Sequence, residues 1–223
     1  VECEVVNNRV VAASMETRGA LGEYDSANDR LHLTVSAAGA HAIRDLLAAS
    51  VFRIAKEKLR VSIPDVGGGF GMKNVLYPEW VLVLWAARRL KRPVQWIGER
   101  NEEFLASVHG RDSCMRARLA LDKDGKFLAL EAHVLAFMGA YISTVAPVVP
   151  TMAMGSAMGG VYDIPLIAFQ ASGVFTNTTP VDAYLSVEPG VVVEVDADVV
   201  HCWDYADDTM MPPSEPSPSQ ASG

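Results

Sequence analysis

The stretch Asp65-Val66-Gly67-Gly68-Gly69-Phe70-Gly71-Met72-Lys73 is the most informative part of this 223-residue sequence. Residues 59–63 before it carry the apolar pattern of a strand, and Pro64 closes that strand. Pro78 and Glu79 after it suit the first turn of a helix. Glycine accepts positive φ and lets a ligand come close to the main chain. The stretch therefore predicts a backbone-rich loop between a strand and a helix, with N–H groups available to an anion or an oxo group.

This loop does not fit the two common glycine-rich phosphate codes. A dinucleotide-binding fingerprint needs Gly-x-Gly-x-x-Gly, and Met72 stands where its last glycine should be. A P-loop needs Gly-Lys-Ser/Thr, but Met72 separates Gly71 from Lys73, and Asn74 follows. On spacing alone, such a turn is more often structural than a binding site. A phosphate- or nucleotide-binding domain of an unrelated family stays open as an alternative.

Strand patterns dominate the remaining body of the chain. They are predicted at residues 30–36, 59–63, 93–97, 114–121, 126–138 and 168–176. The fourth and fifth form a hairpin about the turn Asp122-Lys123-Asp124-Gly125. Helices are predicted at residues 41–49 and from Pro78, where residues 80–87 are apolar on every face and should be buried all round. Glu102-Glu103 should lie on a solvated helix face. This mixture predicts an α+β fold with mixed sheets, hairpins and a few packed helices.

Charge and composition divide the chain into two parts. Residues 185–223 contain 8 of the 27 acidic residues and no Lys or Arg, so the remaining 19 acidic residues balance the 19 basic ones. Residues 210–223 are rich in Pro and Ser, a composition typical of disorder. We therefore predict a domain over residues 1–184 and an acidic, disordered tail over residues 185–223. A neutral body gives no sign of a nucleic-acid surface.

The cysteines and the apolar runs exclude several classes of protein. Cys3, Cys114 and Cys202 are far apart and include no Cys-x-x-Cys, which argues against a disulfide framework or an iron–sulfur cluster held by this chain. This usage indicates a reducing, cytoplasmic setting. The five histidines show no metal-ligand spacing, so no metal site formed by side chains is predicted. The longest apolar run, residues 80–87, is too short to span a membrane.

Several segments occur in an order that is typical of one enzyme family. They are Val6-Asn7-Asn8-Arg9-Val10-Val11, Met15-Glu16-x-Arg18-x-Ala20-Leu21-Gly22-Glu23-Tyr24, the glycine-rich stretch, Arg92-Pro93-Val94, Glu99-Arg100, Gly139-Ala140-Tyr141, Tyr162-Asp163-Ile164-Pro165 and Thr176-Asn177-Thr178-x-Pro180. Over residues 5–184 the chain resembles the cofactor-binding subunit of molybdenum hydroxylases, the xanthine dehydrogenase and aldehyde oxidase family. Within it, the chain looks most like the branch of the aerobic carbon monoxide dehydrogenase large chain.

The resemblance implies the first of two lobes that enclose molybdenum–molybdopterin in its cytosine dinucleotide form. It places the backbone amides of Gly68, Gly69, Phe70 and Gly71 near the molybdenum ligands. The implied reaction is hydroxylation of an aldehyde, an N-heterocycle or carbon monoxide, with water as the source of oxygen. Electrons would pass through 2Fe–2S clusters on a small partner subunit to FAD on a medium partner subunit. The catalytic residues are not identified, because the family's glutamate base comes late in its sequence.

Two departures from the family pattern bear on activity. The family usually has a glutamine, whose amide reaches an oxo ligand of the metal, where this chain has Ala38. After Ala183-Tyr184 the family continues with residues like Arg-Gly-x-Gly, but Leu185-Ser186-Val187 follows here. The family's second lobe and its glutamate base have no counterpart in these residues, so half of the cofactor's enclosure is absent. We therefore expect a fragment of the molybdopterin-binding subunit that has no turnover by itself. The alternative is a remnant of the lobe that serves as a non-catalytic binding module.

Overall fold

The computed structural model describes residues 1–184, together with the main chain of residues 192–196 and 199–203. The chain divides into two units, Val1–Ser186 and Val187–Gly223. The strands of the first unit are β1 (Glu2–Asn7), β2 (Gly19–Asp25), β3 (Arg30–Val35), β4 (Leu59–Ser62), β5 (Val94–Ile97), β6 (Ser113–Leu121), β7 (Phe127–Phe137) and β8 (Ile167–Val174). Its α-helices are α1 (Ala40–Leu46), α2 (Pro78–Leu90), α3 (Arg100–Ala106) and α4 (Met154–Ala157).

Four strands form the first sheet, in the order β4-β3-β2-β5. β2 runs antiparallel to β3 and β5, whereas β3 and β4 are parallel. Gly22 on β2 faces α2 so closely that a Cβ atom there would lie 2.6 Å from the carbonyl oxygen of Val83. The absent side chain at Gly22 therefore lets the helix pack directly on the sheet.

The main hydrophobic core lies between the first sheet and its helices. Its largest fully buried side chains include Trp80 and Leu84 of α2, Leu33 of β3 and Ile43 of α1. The alternation of β3, with Leu31, Leu33 and Val35 buried, follows the period-two pattern of its sequence. Burial of apolar surface stabilises the folded state by about 25 cal/mol per Å² removed from water. Most of the apolar burial that the chain provides for itself is in this region.

Helix α2 corrects one prediction from the sequence. Its Trp80, Val83, Leu84 and Ala87 are buried. However, Leu82, Trp85 and Leu90 are exposed by 59%, 54% and 59%. The prediction of burial all round is therefore wrong for this chain, because the first sheet covers only one side of the helix. Pro78 begins the helix as predicted, and Arg88 and Arg89 lie in its last turn, where cations are favoured.

The second sheet has the order β1-β6-β7-β8. β1, β6 and β7 are antiparallel neighbours, and β8 runs parallel to β7. The predicted turn at Asp122 closes the β6–β7 hairpin, with the N–H of Asp122 donating to the carbonyl oxygen of Lys126 at 3.0 Å. Its buried apolar cluster consists of small or flexible side chains, Ala136, Met138 and Ala146. This sheet therefore buries much less within the described chain than the first sheet does.

The predicted α+β class is confirmed, and each predicted strand is present within about two residues of its expected bounds. Residues 143–160, predicted as loop, contain a π-helical turn, Val149–Ala153, followed by α4. In the second unit, β9 (Val192–Asp196) and β10 (Val199–Trp203) pair as an antiparallel hairpin. The other tail residues, on which the prediction of disorder depends, lie outside the described residues.

Candidate functional site

The glycine loop, residues 67–71, joins β4 to a short 3₁₀ turn at Met72–Asn74 just before α2. Its main chain takes positive φ at Gly68 (98°), Phe70 (47°) and Gly71 (79°). A side chain is rarely accommodated in that region, and Phe70 is the one non-glycine residue of the loop that adopts it. The loop thus has a backbone path that a sequence without these glycines would adopt only with strain.

Four consecutive amides of the glycine loop are available to a ligand. The N–H groups of Gly68, Gly69, Phe70 and Gly71 donate to no acceptor among residues 1–184 and the two described tail strands. Most backbone donors in folded proteins are paired, so a run of unpaired N–H groups is a feature to explain. Successive free amides of this kind form a concave donor surface for anions and oxo groups.

The open side of the glycine loop is at Gly69. A Cβ atom at Gly69 would have only the Cβ of Lys73 within reach, at 4.0 Å. At Gly67, by contrast, a Cβ atom would lie 2.6 Å from the Cβ of Glu16. The Phe70 side chain is 49% exposed. The loop is therefore packed on one side and accessible on the other.

Glu16 supports the packed side of the loop. Its Oε2 accepts hydrogen bonds from the Gly67 N–H at 2.8 Å, from Lys73 Nζ at 2.9 Å and from the Ser36 hydroxyl at 2.6 Å. The Glu16 N–H in turn donates to the Gly67 carbonyl oxygen at 3.1 Å. Lys73 Nζ also donates to Ser36 Oγ at 2.9 Å. These three polar side chains come from before β2, after β3 and before α2, so the fold of the first sheet brings them together.

The pKa of Glu16 follows from these contacts. Burial of the carboxyl opposes its ionisation. The hydrogen bonds from Ser36, Lys73 and Gly67, with the charge of Lys73, outweigh that cost and hold the pKa of Glu16 below its ordinary value. Glu16 is therefore a carboxylate at neutral pH and can balance the ammonium group of Lys73, which is buried.

Ala38 is hydrogen-bonded to Lys73, two residues after the end of the glycine loop. Its N–H donates to the carbonyl oxygen of Lys73 at 3.2 Å, and the residue is exposed. A methyl group cannot donate a hydrogen bond, so position 38 presents no polar side chain next to the loop. The departure noted in the sequence thus falls at the candidate site rather than away from it.

A second buried polar cluster, centred on Arg18, was not predicted from the sequence. Arg18 is fully buried; its Nε donates to Glu103 at 2.8 Å and its NH1 donates to Glu79 at 3.3 Å. The guanidinium carbon lies 3.7 Å from the centre of the Tyr77 ring. The expectation that Glu103 is solvated is wrong, because this carboxylate is 2% exposed and faces Arg18. The adjacent acidic residues Glu102 and Glu103 do not reveal in the sequence that Glu103 pairs with Arg18, because the two lie 85 residues apart.

Two other segments of the family-like series also meet. The Ala140 N–H donates to the carbonyl oxygen of Thr178, and the Thr176 N–H donates to that of Gly139, at 2.9 and 3.0 Å. A Cβ atom at Gly139 would lie 2.5 Å from the Cα of Pro180. Gly139 and residues 176–180 therefore pack closely against each other, and a side chain at position 139 would not fit.

Neither metal-binding side chains nor a membrane span is found in the part of the chain that the structure describes. No three His, Cys, Asp or Glu side chains gather there as a possible metal site. None of its helices has the length and apolar character needed to cross a membrane.

The comparison with family models decides the identity of the domain. Residues 1–187 match the molybdopterin cofactor-binding domain. This chain belongs to that family. The match covers the glycine loop, Ala38 and the supporting residues around Glu16, and it rules out the alternative of an unrelated nucleotide-binding domain.

The relatives of this molybdopterin cofactor-binding domain include two curated proteins from bacteria. The large subunit of nicotine 6-hydroxylase from Paenarthrobacter nicotinovorans is 35% identical over 190 residues, covering 80% of this chain and 22% of the relative. The carbon monoxide dehydrogenase large chain from Hydrogenophaga pseudoflava is 33% identical over 172 residues, covering 77% of this chain and 21% of the relative. The chain thus spans about a fifth of the length of these proteins.

Solved structures show the same fold. Quinoline 2-oxidoreductase from Pseudomonas putida 86 superposes on this molybdopterin cofactor-binding domain with a TM-score of 0.78 and 36% identity, over 82% of this chain and 23% of that chain. Carbon monoxide dehydrogenase from Oligotropha carboxidovorans superposes with a TM-score of 0.75 and 30% identity, covering 82% of this chain and 23% of that chain. The predicted family and its α+β architecture are both confirmed.

Proposed function

We propose that this domain works as part of the large subunit of a molybdenum hydroxylase and contacts molybdopterin through the glycine loop. The observation that carries the proposal is the run of four unpaired amides at residues 68–71, on a loop within the matched family domain. In the complete enzyme, the reaction would be hydroxylation of an aldehyde, an N-heterocycle or carbon monoxide with oxygen from water. The names of the nicotine 6-hydroxylase and carbon monoxide dehydrogenase relatives support the N-heterocycle and carbon monoxide classes, and a further relative named aldehyde oxidoreductase supports the aldehyde class.

The residues of the loop fit such a cofactor. The N–H groups of Gly68, Gly69 and Phe70 supply donors, and Gly71 completes the turn. Donors fixed in advance need no reorganisation when charge develops beside them. The open side at Gly69 admits a flat or bulky group close to the main chain. Bound molybdopterin would supply the redox chemistry, while these residues would orient it and exclude water.

The cofactor form and the partners belong to the same proposal. We expect the cytosine dinucleotide form of molybdopterin, a medium subunit with FAD and a small subunit with 2Fe–2S clusters, in the cytoplasm. Names such as "large subunit" and "large chain" among the relatives support an assembly of several chains. A 2Fe–2S cluster of the common type needs four cysteine ligands, and this chain has three cysteines in all.

Metal and nucleotide analysis of the purified chain tests the proposal. The chain would be produced in a bacterial host that makes the cofactor; molybdenum would be measured by mass spectrometry, and cytidine monophosphate after acid release. We expect both in the wild type, and a loss of at least about tenfold in Gly69→Ala, because the added methyl group points to the open side.

Gly19→Ala is the matched control for Gly69→Ala. A Cβ atom at Gly19 would make only ordinary contacts, at 3.8 and 3.9 Å, and would lie away from the loop. Molybdenum should stay at the wild-type content in this control. A wild-type chain without molybdenum and cytidine, or equal contents in the two glycine variants, would contradict the proposal.

Turnover by the chain alone is a separate test. We expect none with aldehydes, N-heterocycles or carbon monoxide and an artificial electron acceptor, because the chain corresponds to about a fifth of its relatives. Cofactor-dependent hydroxylation by the purified chain without other subunits would contradict this expectation.

The second candidate function is a non-catalytic binding module. The observation in its favour is the exposed Ala38 beside the glycine loop, where no side-chain donor is present. Such a module would bind no molybdopterin and would have no hydroxylase activity. A purified complex with its partner chains that contains neither molybdenum nor cytidine would favour this function over the first.

A further inference from the structure

A buried lysine lies under the glycine loop. The side chain of Lys73 has no exposed surface, whereas that of Glu16 is 39% exposed. A buried ammonium group is costly unless it is paired and hydrogen-bonded. Lys73 Nζ meets this requirement with Glu16 Oε2 and Ser36 Oγ, each at 2.9 Å. A cation is therefore maintained within the fold at this place.

The same lysine is joined to the loop through its main chain. The Lys73 N–H donates to the Gly69 carbonyl oxygen at 3.2 Å, and the Lys73 carbonyl oxygen accepts from Ala38. At the other end, Gly67 is held by Glu16 through both its N–H and its carbonyl oxygen. One ion pair thus fixes both ends of the loop.

The amides between these two ends are the ones without acceptors. Residues 68–71 lie between the fixed Gly67 and the fixed Lys73. A flexible loop could turn its own N–H groups inward, whereas a loop anchored at both ends loses that freedom. The geometry therefore connects the buried ion pair to the direction of the free donors.

We propose that Glu16 and Lys73 are positioning residues, which keep the glycine loop in the conformation that presents its free amides to a bound group. Ser36 completes the pair by donating to Glu16 and accepting from Lys73. The proposal rests on the proposed function, since it gives these residues a role in binding molybdopterin. A buried pair that merely stabilises the whole domain is the competing explanation.

Amide hydrogen exchange by NMR on the whole chain separates the two explanations. The variants are Glu16→Gln, Glu16→Ala and Lys73→Met, and the control is Glu57→Gln. Glu57 is exposed and has no hydrogen bond or ion pair among the described residues. Exchange of the amides of Gly67, Lys73 and residue 16 would be compared with that of the β3 amides.

In Glu16→Gln we expect exchange at these loop amides to rise by about tenfold, because a charge-assisted hydrogen bond is replaced by a weaker neutral one. Glu16→Ala should give a larger rise, while β3 amides change by less than about twofold in Glu16→Gln. If Lys73→Met does not fold, the two Glu16 variants still distinguish a positioning role from stabilisation of the whole domain. An equal rise at loop and β3 amides, or no change at the loop, overturns the proposal.

Molybdenum content provides the readout that a merely structural pair would not change. In Glu16→Gln, handled at a temperature at which circular dichroism shows it to be as fully folded as Glu57→Gln, we expect molybdenum to fall at least about fivefold. Wild-type molybdenum content together with faster loop exchange would overturn the role in binding. If the wild-type chain lacks molybdenum but the loop responds selectively, the proposed function fails while the positioning of the loop stands.

Discussion

The two four-stranded sheets of the first unit differ in what they bury. The first sheet and the helices α1 and α2 bury large side chains between them, such as Trp80 of α2 and Leu33 of β3, which have no exposed surface. The second sheet leaves many apolar side chains exposed, including Leu135 on the inner strand β7 (39%) and Phe175 just after the edge strand β8 (68%). The side chains that anchor the glycine loop, Glu16, Ser36 and Lys73, all belong to the first region. A candidate site that depends on fixed geometry is thus attached to the better packed part.

The largest difference between the sheets should appear on removal of Arg18. Arg18→Met leaves the Glu103 carboxylate buried without its cation, which should cost about 3–5 kcal/mol in the free energy of unfolding. Arg118→Met, which breaks an exposed pair with Glu131 on the second sheet, should cause no measurable loss. Urea denaturation followed by circular dichroism measures both. Similar losses in the two variants would contradict the contrast.

The next largest effect is expected when a leucine on an inner strand of each sheet, Leu33 on β3 or Leu135 on β7, is changed to alanine. Leu33→Ala on β3 should cost about 2–5 kcal/mol, because the site is fully buried and leaves a cavity. Leu135→Ala on β7 should cost less than about 1 kcal/mol, since its side chain already contacts solvent. Urea midpoints at constant slope provide the comparison. A loss of 2 kcal/mol or more at Leu135 would show that the second sheet has a core of its own.

Added methyl groups on two glycines should give a smaller effect. Gly22→Ala forces a Cβ atom to 2.6 Å from a backbone oxygen of α2, and we expect a loss of about 1–3 kcal/mol. Gly173→Ala on β8 meets the flexible Met138 side chain at 3.1 Å, so the loss should stay below about 1 kcal/mol. Melting temperatures would rank the pair. Equal shifts in melting temperature would mean that α2 moves away from β2 easily enough to accommodate the added Cβ atom.

The smallest effect concerns pH. The folded-state pKa of Glu16 is lowered, so its ionised form adds stability above its ordinary pKa, and this stability is lost as pH falls through the lowered value. The melting temperature of wild type should therefore exceed that of Glu16→Gln at neutral pH, with the gap closing in acid. The control Glu57→Gln should show no gap at either pH. A gap that widens on acidification would contradict the lowered pKa.

Six of the eight strands of the first unit and the glycine loop could be predicted from local patterns, whereas β1 and β2 were not predicted. The alternation of Leu31, Leu33 and Val35 marks β3, and Pro78 marks the start of α2, because these signals act over a few residues. The burial of α2 was overestimated, since an apolar run does not reveal which side a sheet will cover. The partner of Glu103 was missed for the same reason: the pairing with Arg18 depends on the fold.

For the candidate site, the sequence indicated which residues would form an exposed main chain, and the ordered motifs indicated the family, which the match over residues 1–187 confirms. The role of Gly68, Gly69, Phe70 and Gly71 in binding stays a prediction. Nothing in the local pattern pointed to Glu16 or Ser36 as supports of that loop, because they lie 51 and 37 residues from Gly67 and Lys73.

By itself, the sequence determined most of the strands and helices along the chain, the position of the glycine-rich loop and the membership of a family. These depend on side-chain period, backbone freedom and motif order, all of which are local or linear properties. Only the tertiary structure decided that a buried lysine and a carboxylate anchor the loop at both ends. The physical reason is that burial and charge pairing depend on distances in space, which are set when β2, β3 and α2 pack together.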